Sequence, residues 1–422
     1  EALKANTIGT NNSAFGVYAL IANTTGTNNV AVGYGSLRNN TTSNNVAVGF
    51  NALYTNTTGY GGTAVGHNAL VSNIWGGYNT AVGFQALYYN TIGTNNSAFG
   101  VESLLSNTTG VKNVAVGRSA LQGNTIGASN SAFGYRALRY NTIGTNNNAF
   151  GQNALFSNTT GTHNVAFGRD ALSSNAIGTN NCAFGSYALT SNTTGRNSAF
   201  GYRALRLNTT GTHNAAFGYK TLETNTIGNY NSAFGSLALV SNTTGTRNNA
   251  FGYRALNSNT IGTDNNAFGY KALFANTTGG ANTAVGHVSL INNTIGINNN
   301  AVGYGSLYAN TTGASNSAFG FSSLVTNTTG SKNTAIGDGT MYYNITGSNN
   351  TLLGYGAELS LPTISNEITL GNSDVTTLRA AVTTITSLSD SRDKKNINDL
   401  SVGLNFINSL KPRVFNWDKR EV

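Results

Sequence analysis

Arg203, Lys220, Arg254 and Lys271 are separated by 17 residues or a multiple of 17. A period of this kind would set the four cations in one file. Such a file costs Coulomb repulsion unless an anion sits on it, which points to an acidic surface glycan as ligand. Leu237 interrupts the file and Arg206 lies beside it. The plainer reading is solubility for a chain in which only 9% of residues are charged. Other reactive residues are sparse. His67, His163, His213 and His287 are too far apart along the chain to share a metal ion, so no metal site is expected. Cys182 is the single cysteine, which excludes an internal disulfide framework, and it stands where other repeats usually carry Ser, Asn, Thr or Val. No Ser-His-Asp spacing or phosphate loop is present, and no cofactor is implied. A depolymerase would need a carboxylate pair in a groove, and 14 acidic residues, many near the C-terminus, make a poor source. The net charge of +9 is scattered thinly, which argues against a nucleic-acid partner, and none is expected. There is no apolar run of about 18 residues, so no membrane-spanning helix is expected.

These residues are carried by a repeat. Units begin at Asn6, Asn23, Asn40, Asn56, Asn73 and Asn90 and continue to Asn344, 21 in all, with the consensus N-T-[TI]-G-T-N-N-x-A-[FV]-G-Y-x-A-L-x-S. Gly at unit position 11 is present in all 21; Ala at position 9 fails only at Leu352, and Leu at position 15 only at Met341 and Glu358. The x-Ala-[Phe/Val] segment is too short for a helix and suits a short strand. An invariant Ala marks a place where backbones approach too closely for a larger side chain. The Phe/Val and Leu positions predict two apolar ladders, and Gly a corner of positive φ or close packing. Asn-Thr-Thr-Gly-Thr-Asn-Asn is turn chemistry, with Asn stacked on Asn in amide ladders. Recurrent Asn-x-Thr sequons read as that same turn chemistry. The units at Asn40 and Asn192 have 16 residues, and both losses fall in the polar turn.

A unit of this length suits one coil of a parallel β-solenoid, stacked at ~4.8 Å per coil into a rod on the order of 100 Å. The fold class is therefore all-β. So thin a coil encloses only two or three side chains, which favours a parallel homotrimer. Glu1-Ala-Leu3 reads as the end of a unit, so further residues are expected ahead of it.

Asn79-Thr-Ala-Val-Gly-Phe-Gln-Ala-Leu87, and Asn29 to Leu37 with Ser36 in place of Ala, resemble the head repeats of trimeric autotransporter adhesins. The resemblance implies a β-roll with three chains around one axis; here the unit is longer, with the extra residues in the turn.

The period ends near Ser360, and residues 1–360 are read as the shaft. Residues 361–388 alternate apolar and polar side chains in Glu367-Ile-Thr-Leu-Gly371 and Val375-Thr-Thr-Leu378, and read as a β-rich neck. Leu400, Leu404, Ile407 and Leu410 share one face of a helix capped at Asn398 or Asp399 and stopped at Pro412, giving a small α+β module. Ser389-Asp-Ser-Arg-Asp-Lys-Lys-Asn-Ile397 fits Ser-Asp-x-Arg-x-Lys-x-x-Ile, which resembles the start of the intramolecular chaperone domain of endosialidase-type phage tail spikes. That domain is longer than residues 389–422, which are read as its beginning. The resemblance implies trimerisation followed by a single self-cleavage before Asp390, with Ser389 as nucleophile and Lys394, desolvated and partly neutral, activating it. Otherwise the chain is expected not to be an enzyme.

The combined reading is a structural and adhesive fibre, tail-fibre-like or a cell-surface appendage, that touches a host receptor or surface glycan. The alternative is a solenoid that binds ice or a crystalline polysaccharide through Thr and Asn files. Alternation of Thr with Ile at position 3, and Trp75 there once, weakens it. Recognition must come from variable positions 12, 13 and 16.

Overall fold

The Ala-[Phe/Val]-Gly segments recur at one place in every unit, and that placement decides the architecture. A computed structural model describes residues 1–379. Twenty-two strands of three residues each, β1 (Ser13–Phe15) to β22 (Ile368–Leu370), form one parallel sheet in which each strand pairs with the next in sequence. Register is strict: Ala14 faces Ala31, Ala166 faces Ala183, and Ala250 faces Ala267. The described chain is thus an all-β parallel solenoid without a helix. The repeat stack forms one compact unit, Glu1–Asn372, and Ile368–Leu370, read from sequence as part of the neck, is its last rung. Residues 373–379 belong to the second unit and carry no regular element. The helix expected from Asn398 lies outside the described residues.

Successive residues of a strand point to opposite sides. Here the inward residue is Ala at position 9, fully buried in nearly every coil, while positions 8 and 10 point out. Ala at 14 and Leu at 15 complete the apolar core, so the Leu ladder is internal. The Phe/Val ladder is external: Phe99, Phe167, Phe234 and Phe268 keep 36–41% of their surface exposed. A coil this thin has room inside for methyl groups and one isobutyl group, and the phenyl ring is left outside.

Two files of buried asparagine fill the rest of the interior. At position 1, Asn141 Nδ2 donates to Asn124 Oδ1 (2.8 Å) and to Gly144 O (3.0 Å), and its Oδ1 accepts from Asn158 Nδ2 (2.7 Å). At position 7, Asn130 Nδ2 donates to Asn113 Oδ1 (3.2 Å) and Gly144 O (2.8 Å), while its Oδ1 accepts from the backbone N–H and Nδ2 of Asn147 (3.1 and 3.2 Å). The amide's donors and its acceptor are satisfied without water, and in this setting burying them is tolerable. The 16-residue coils keep the pattern by substitution. Thr42 O accepts from Asn40 and Asn29 (2.7 and 2.8 Å), and Thr194 O from Asn192 and Asn181 (2.6 and 2.7 Å). One residue fewer in the turn therefore leaves strand register intact, with Ala183 opposite Ala199.

The corners need left-handed backbone. Gly at position 11 has φ between +120° and +143°, and a Cβ on Gly117 would come within 2.7 Å of Gly134 O in the next coil. Close approach and positive φ both exclude a side chain there. Leu at position 15 also lies at positive φ, +49° to +52° from Leu20 to Leu324. That conformation is costly for a side chain and worst for a β-branched one. Where position 15 has this backbone it uses Leu and Met, and never the Val that position 10 accepts freely.

Candidate functional site

Stacking turns each outward repeat position into a file, and the files group into three lateral strips. The strand strip consists of positions 8 and 10. Position 10 is Phe, Val, Ile or Leu at every rung, and position 8 is small or uncharged from Ser13 to Thr351, so the strip bears no charge along its length. Nine phenyl rings from Phe133 to Phe268 stack in one run with centroids 4.4–5.0 Å apart and planes within 12°. Cys182 lies on this strip, half-buried, and burial pushes its thiol pKa up.

The second strip comprises positions 12, 13 and 16 and holds the four cations singled out from sequence. Arg203, Lys220, Arg254 and Lys271 all have φ of +53° to +57°, which aims their side chains along the corner beside the tyrosine that precedes each one. Arg203 lies against Tyr202 (5.0 Å to the centroid), Lys220 against Tyr219 (5.5 Å), Arg254 against Tyr253 (5.3 Å) and Lys271 against Tyr270 (5.2 Å). The structure divides the four into two pairs. Arg203 (3.6 Å), Arg206 (3.2 Å) and Lys220 (3.8 Å) surround one carboxylate, Glu223, which is 8% exposed. Arg254 and Lys271 form no ion pair among the described residues. Sequence reasoning passed over Glu223, though its place at position 16 next to the file was visible.

Aromatic rings run along the same strip. Tyr253, Tyr270, His287, Tyr304 and Phe321 stack 4.8–5.6 Å apart, as do Tyr34, Phe50, His67 and Phe84 at 5.0–5.4 Å. His67 and His287 are therefore members of ring stacks. His213 stacks on Tyr230, and His163 meets the Asn146 amide. Among the described residues no three His, Cys, Asp or Glu side chains gather as metal ligands. In these stacks each ring covers its neighbour's face and offers its edge to solvent.

The third strip is the polar turn, positions 2, 3, 5 and 6. Its Thr hydroxyls at position 2 donate to the next coil's carbonyl, as from Thr91 to Thr108 (3.2 Å) and Thr243 to Thr260 (3.1 Å). Those protons are thereby engaged inside the protein. Exposed Ile92, Ile126 and Ile143 share the position-3 file with Thr.

Ser389, Asp390 and Lys394 lie outside the described residues. No described helix is long and apolar enough to cross a membrane. A comparison with protein-family models finds no match, and a search of curated proteins finds none either.

Proposed function

We propose that the chain is the shaft of an adhesive fibre, extracellular or on a virion, in which three parallel copies pack their strand strips together and present the other two strips outward. The observation that carries this reading is the exposed, charge-free strand strip. At ~4.8 Å per rung and about 7 Å across two residues, it offers roughly 700 Å² per copy, the scale of one partner's share in a specific interface. Identical rung spacing lets copies interdigitate in register. Large exposed apolar patches mark interaction sites in soluble proteins.

Recognition then falls to the corner strip, where Arg254 and Lys271, the two of the four-cation file with no ion pair among the described residues, take a sulfate or carboxylate of an acidic glycan. Arg203 and Lys220 share the charge of Glu223 and contribute field more than contact. At the C-terminus, residues 389–422 act as a trimerisation chaperone, and Ser389, activated by Lys394, cleaves once before Asp390.

Native mass spectrometry tests assembly: the expected species is a trimer, and Phe200→Glu with Phe217→Glu dissociates it. A bis-maleimide should join copies through Cys182. Monomers at micromolar concentration, or a trimer untouched by both glutamates, refute the packing. Intact mass after expression reads the cleavage, and Ser389→Ala should abolish it.

A further inference from the structure

One place in the shaft breaks the rules of the repeat several times over. In the coil starting at Asn56, Gly-Thr-Asn-Asn is replaced by Gly59-Tyr60-Gly61-Gly62, and in the next, [Thr/Ile]-Gly-Thr-Asn becomes Trp75-Gly76-Gly77-Tyr78. Position 7 is Asn in all 21 units except here, where it is Gly62. The buried amide file is thereby interrupted: among the described residues Asn45 Oδ1 accepts only the backbone N–H of Gly62 (2.9 Å). The interior gives up an asparagine at the same coil where the surface gains large rings.

Those rings are prominently exposed: Trp75 by 65%, Tyr78 by 58% and Tyr60 by 48%. Glycine makes room for them. A Cβ on Gly61 would sit 3.0 Å from the Tyr78 ring, and one on Gly77 would sit 3.5 Å from the Tyr60 ring. Tyr60 and Tyr78 meet edge to face, 4.9 Å between centroids at 75°, so their faces are not stacked on each other as in the ladders. Among the described residues Trp75 stacks on no other ring, and its one hydrogen bond is the backbone one to Thr91 O. No charged side chain stands in either of these two coils.

An exposed indole with no ring stacked on it among the described residues separates this cluster from the aromatic files of the shaft. A sugar binds an aromatic side chain by laying its C–H-bearing face on the ring face, and a ring sandwiched between neighbours has no face to give. We propose that Trp75, Tyr60 and Tyr78 form a binding subsite for a neutral glycan whose pyranose rings carry their substituents equatorially, with Trp75 as the stacking platform and the two phenol hydroxyls as hydrogen-bonding partners. The site lies on the turn strip, away from both the strand strip and Arg254 and Lys271. It adds a ligand class to the adhesive reading but depends on neither the assembly nor the cationic strip.

The chain has two tryptophans, so a Trp417→Phe background leaves Trp75 as the sole indole reporter. Titration of this full-length protein with cellohexaose and, separately, chitohexaose should change its fluorescence saturably with at least one of them. Calorimetry on the same protein should give the same affinity. Trp75→Ile installs the side chain that position 3 carries elsewhere, and Tyr60→Thr with Tyr78→Asn restores the consensus, so these variants fold as other coils do. Each should weaken binding about tenfold or more. Arg254→Ala with Lys271→Ala should leave it unchanged. Absence of saturable binding to both oligomers at millimolar concentration overturns the proposal, as does binding that survives Trp75→Ile. Loss of binding in Arg254→Ala with Lys271→Ala also overturns it, by moving recognition to the cationic strip. Heparin retention by the parent protein, lost in that double variant, reads the acidic-glycan reading separately.

Discussion

Leu256 is buried, sits at φ +50°, and donates its N–H to Ala272 O at 3.0 Å. Replacing it by Ile or by Met keeps the buried volume nearly constant, and volume-conserving swaps in a core usually cost less than about 1.5 kcal/mol. Backbone conformation separates the two. Met is unbranched at Cβ and tolerates the left-handed region as Leu does; Met341 already occupies position 15 at φ +55°. Ile brings a second Cγ against the backbone in a conformation disfavoured for β-branched residues, adding roughly 1–3 kcal/mol of strain. The expected difference between the variants is therefore a roughly 5- to 150-fold increase in local opening for Ile over Met. Native-state hydrogen exchange reads this directly through the Leu256 amide and the Leu239 amide, which donates to Ala255 O at 3.0 Å. A shaft of many rungs does not unfold as one two-state unit, so a local measurement is preferable to a global midpoint. Equal protection in the two variants, or greater protection in Ile, would refute the backbone explanation for the absence of Val and Ile at this position.

Three further outcomes are expected. Gly117→Ala should force neighbouring rungs apart, because its Cβ meets Gly134 O at 2.7 Å; proteolysis is expected to begin between coils seven and eight, and an intact digestion pattern would count against the close-approach argument. Asn141→Ala removes three hydrogen bonds, leaving Asn124 Oδ1 without a donor and one Asn158 Nδ2 hydrogen without an acceptor, a loss of about 3–5 kcal/mol in local exchange stability, while a change below about 1 kcal/mol would mean that the amide file is dispensable. Glu358, half-buried where position 15 is otherwise Leu or Met, accepts from the backbone N–H groups of Tyr342 (2.9 Å) and Tyr343 (3.4 Å), and burial raises its pKa above the ordinary 4.5. A carboxyl that holds its proton more tightly when folded contributes stability below the unfolded pKa, and that stability is lost as pH rises through the folded one. Protection of the last rungs should therefore fall over that window in the parent protein and stay flat in Glu358→Gln; a parallel fall in both would assign the effect elsewhere.

Much of the shaft was legible in sequence because stacking copies one coil's constraints many times. An Ala in twenty of 21 units can only mean a space that admits a methyl group, and a Gly in all of them only a corner. The amide files followed from the same logic. The direction of the Phe/Val ladder was not legible, since in x-Ala-Phe the larger apolar residue would ordinarily face inward, and only the thinness of the coil reverses this. The left-handed leucines were hidden because Leu seldom adopts such a backbone; their one trace was the exclusion of Val from position 15. At the candidate sites, the cation file was visible as a period, whereas its division by Glu223 depended on how position 16 of one coil turns toward position 13 of its neighbours. The aromatic cluster could have been found by asking where the position-7 Asn is missing, at Gly62.

The two 16-residue coils show that a turn can lose a residue without disturbing the rungs on either side, because each coil bonds only to its immediate neighbours. The same locality makes reach a digital quantity. Duplication or loss of one whole unit lengthens or shortens the shaft by one interstrand step, ~4.8 Å, and presents an identical seam to whatever lies above and below. Gain or loss of whole units would therefore change the length of the solenoid in fixed steps. Both ends of the stack and every retained surface would stay as they were.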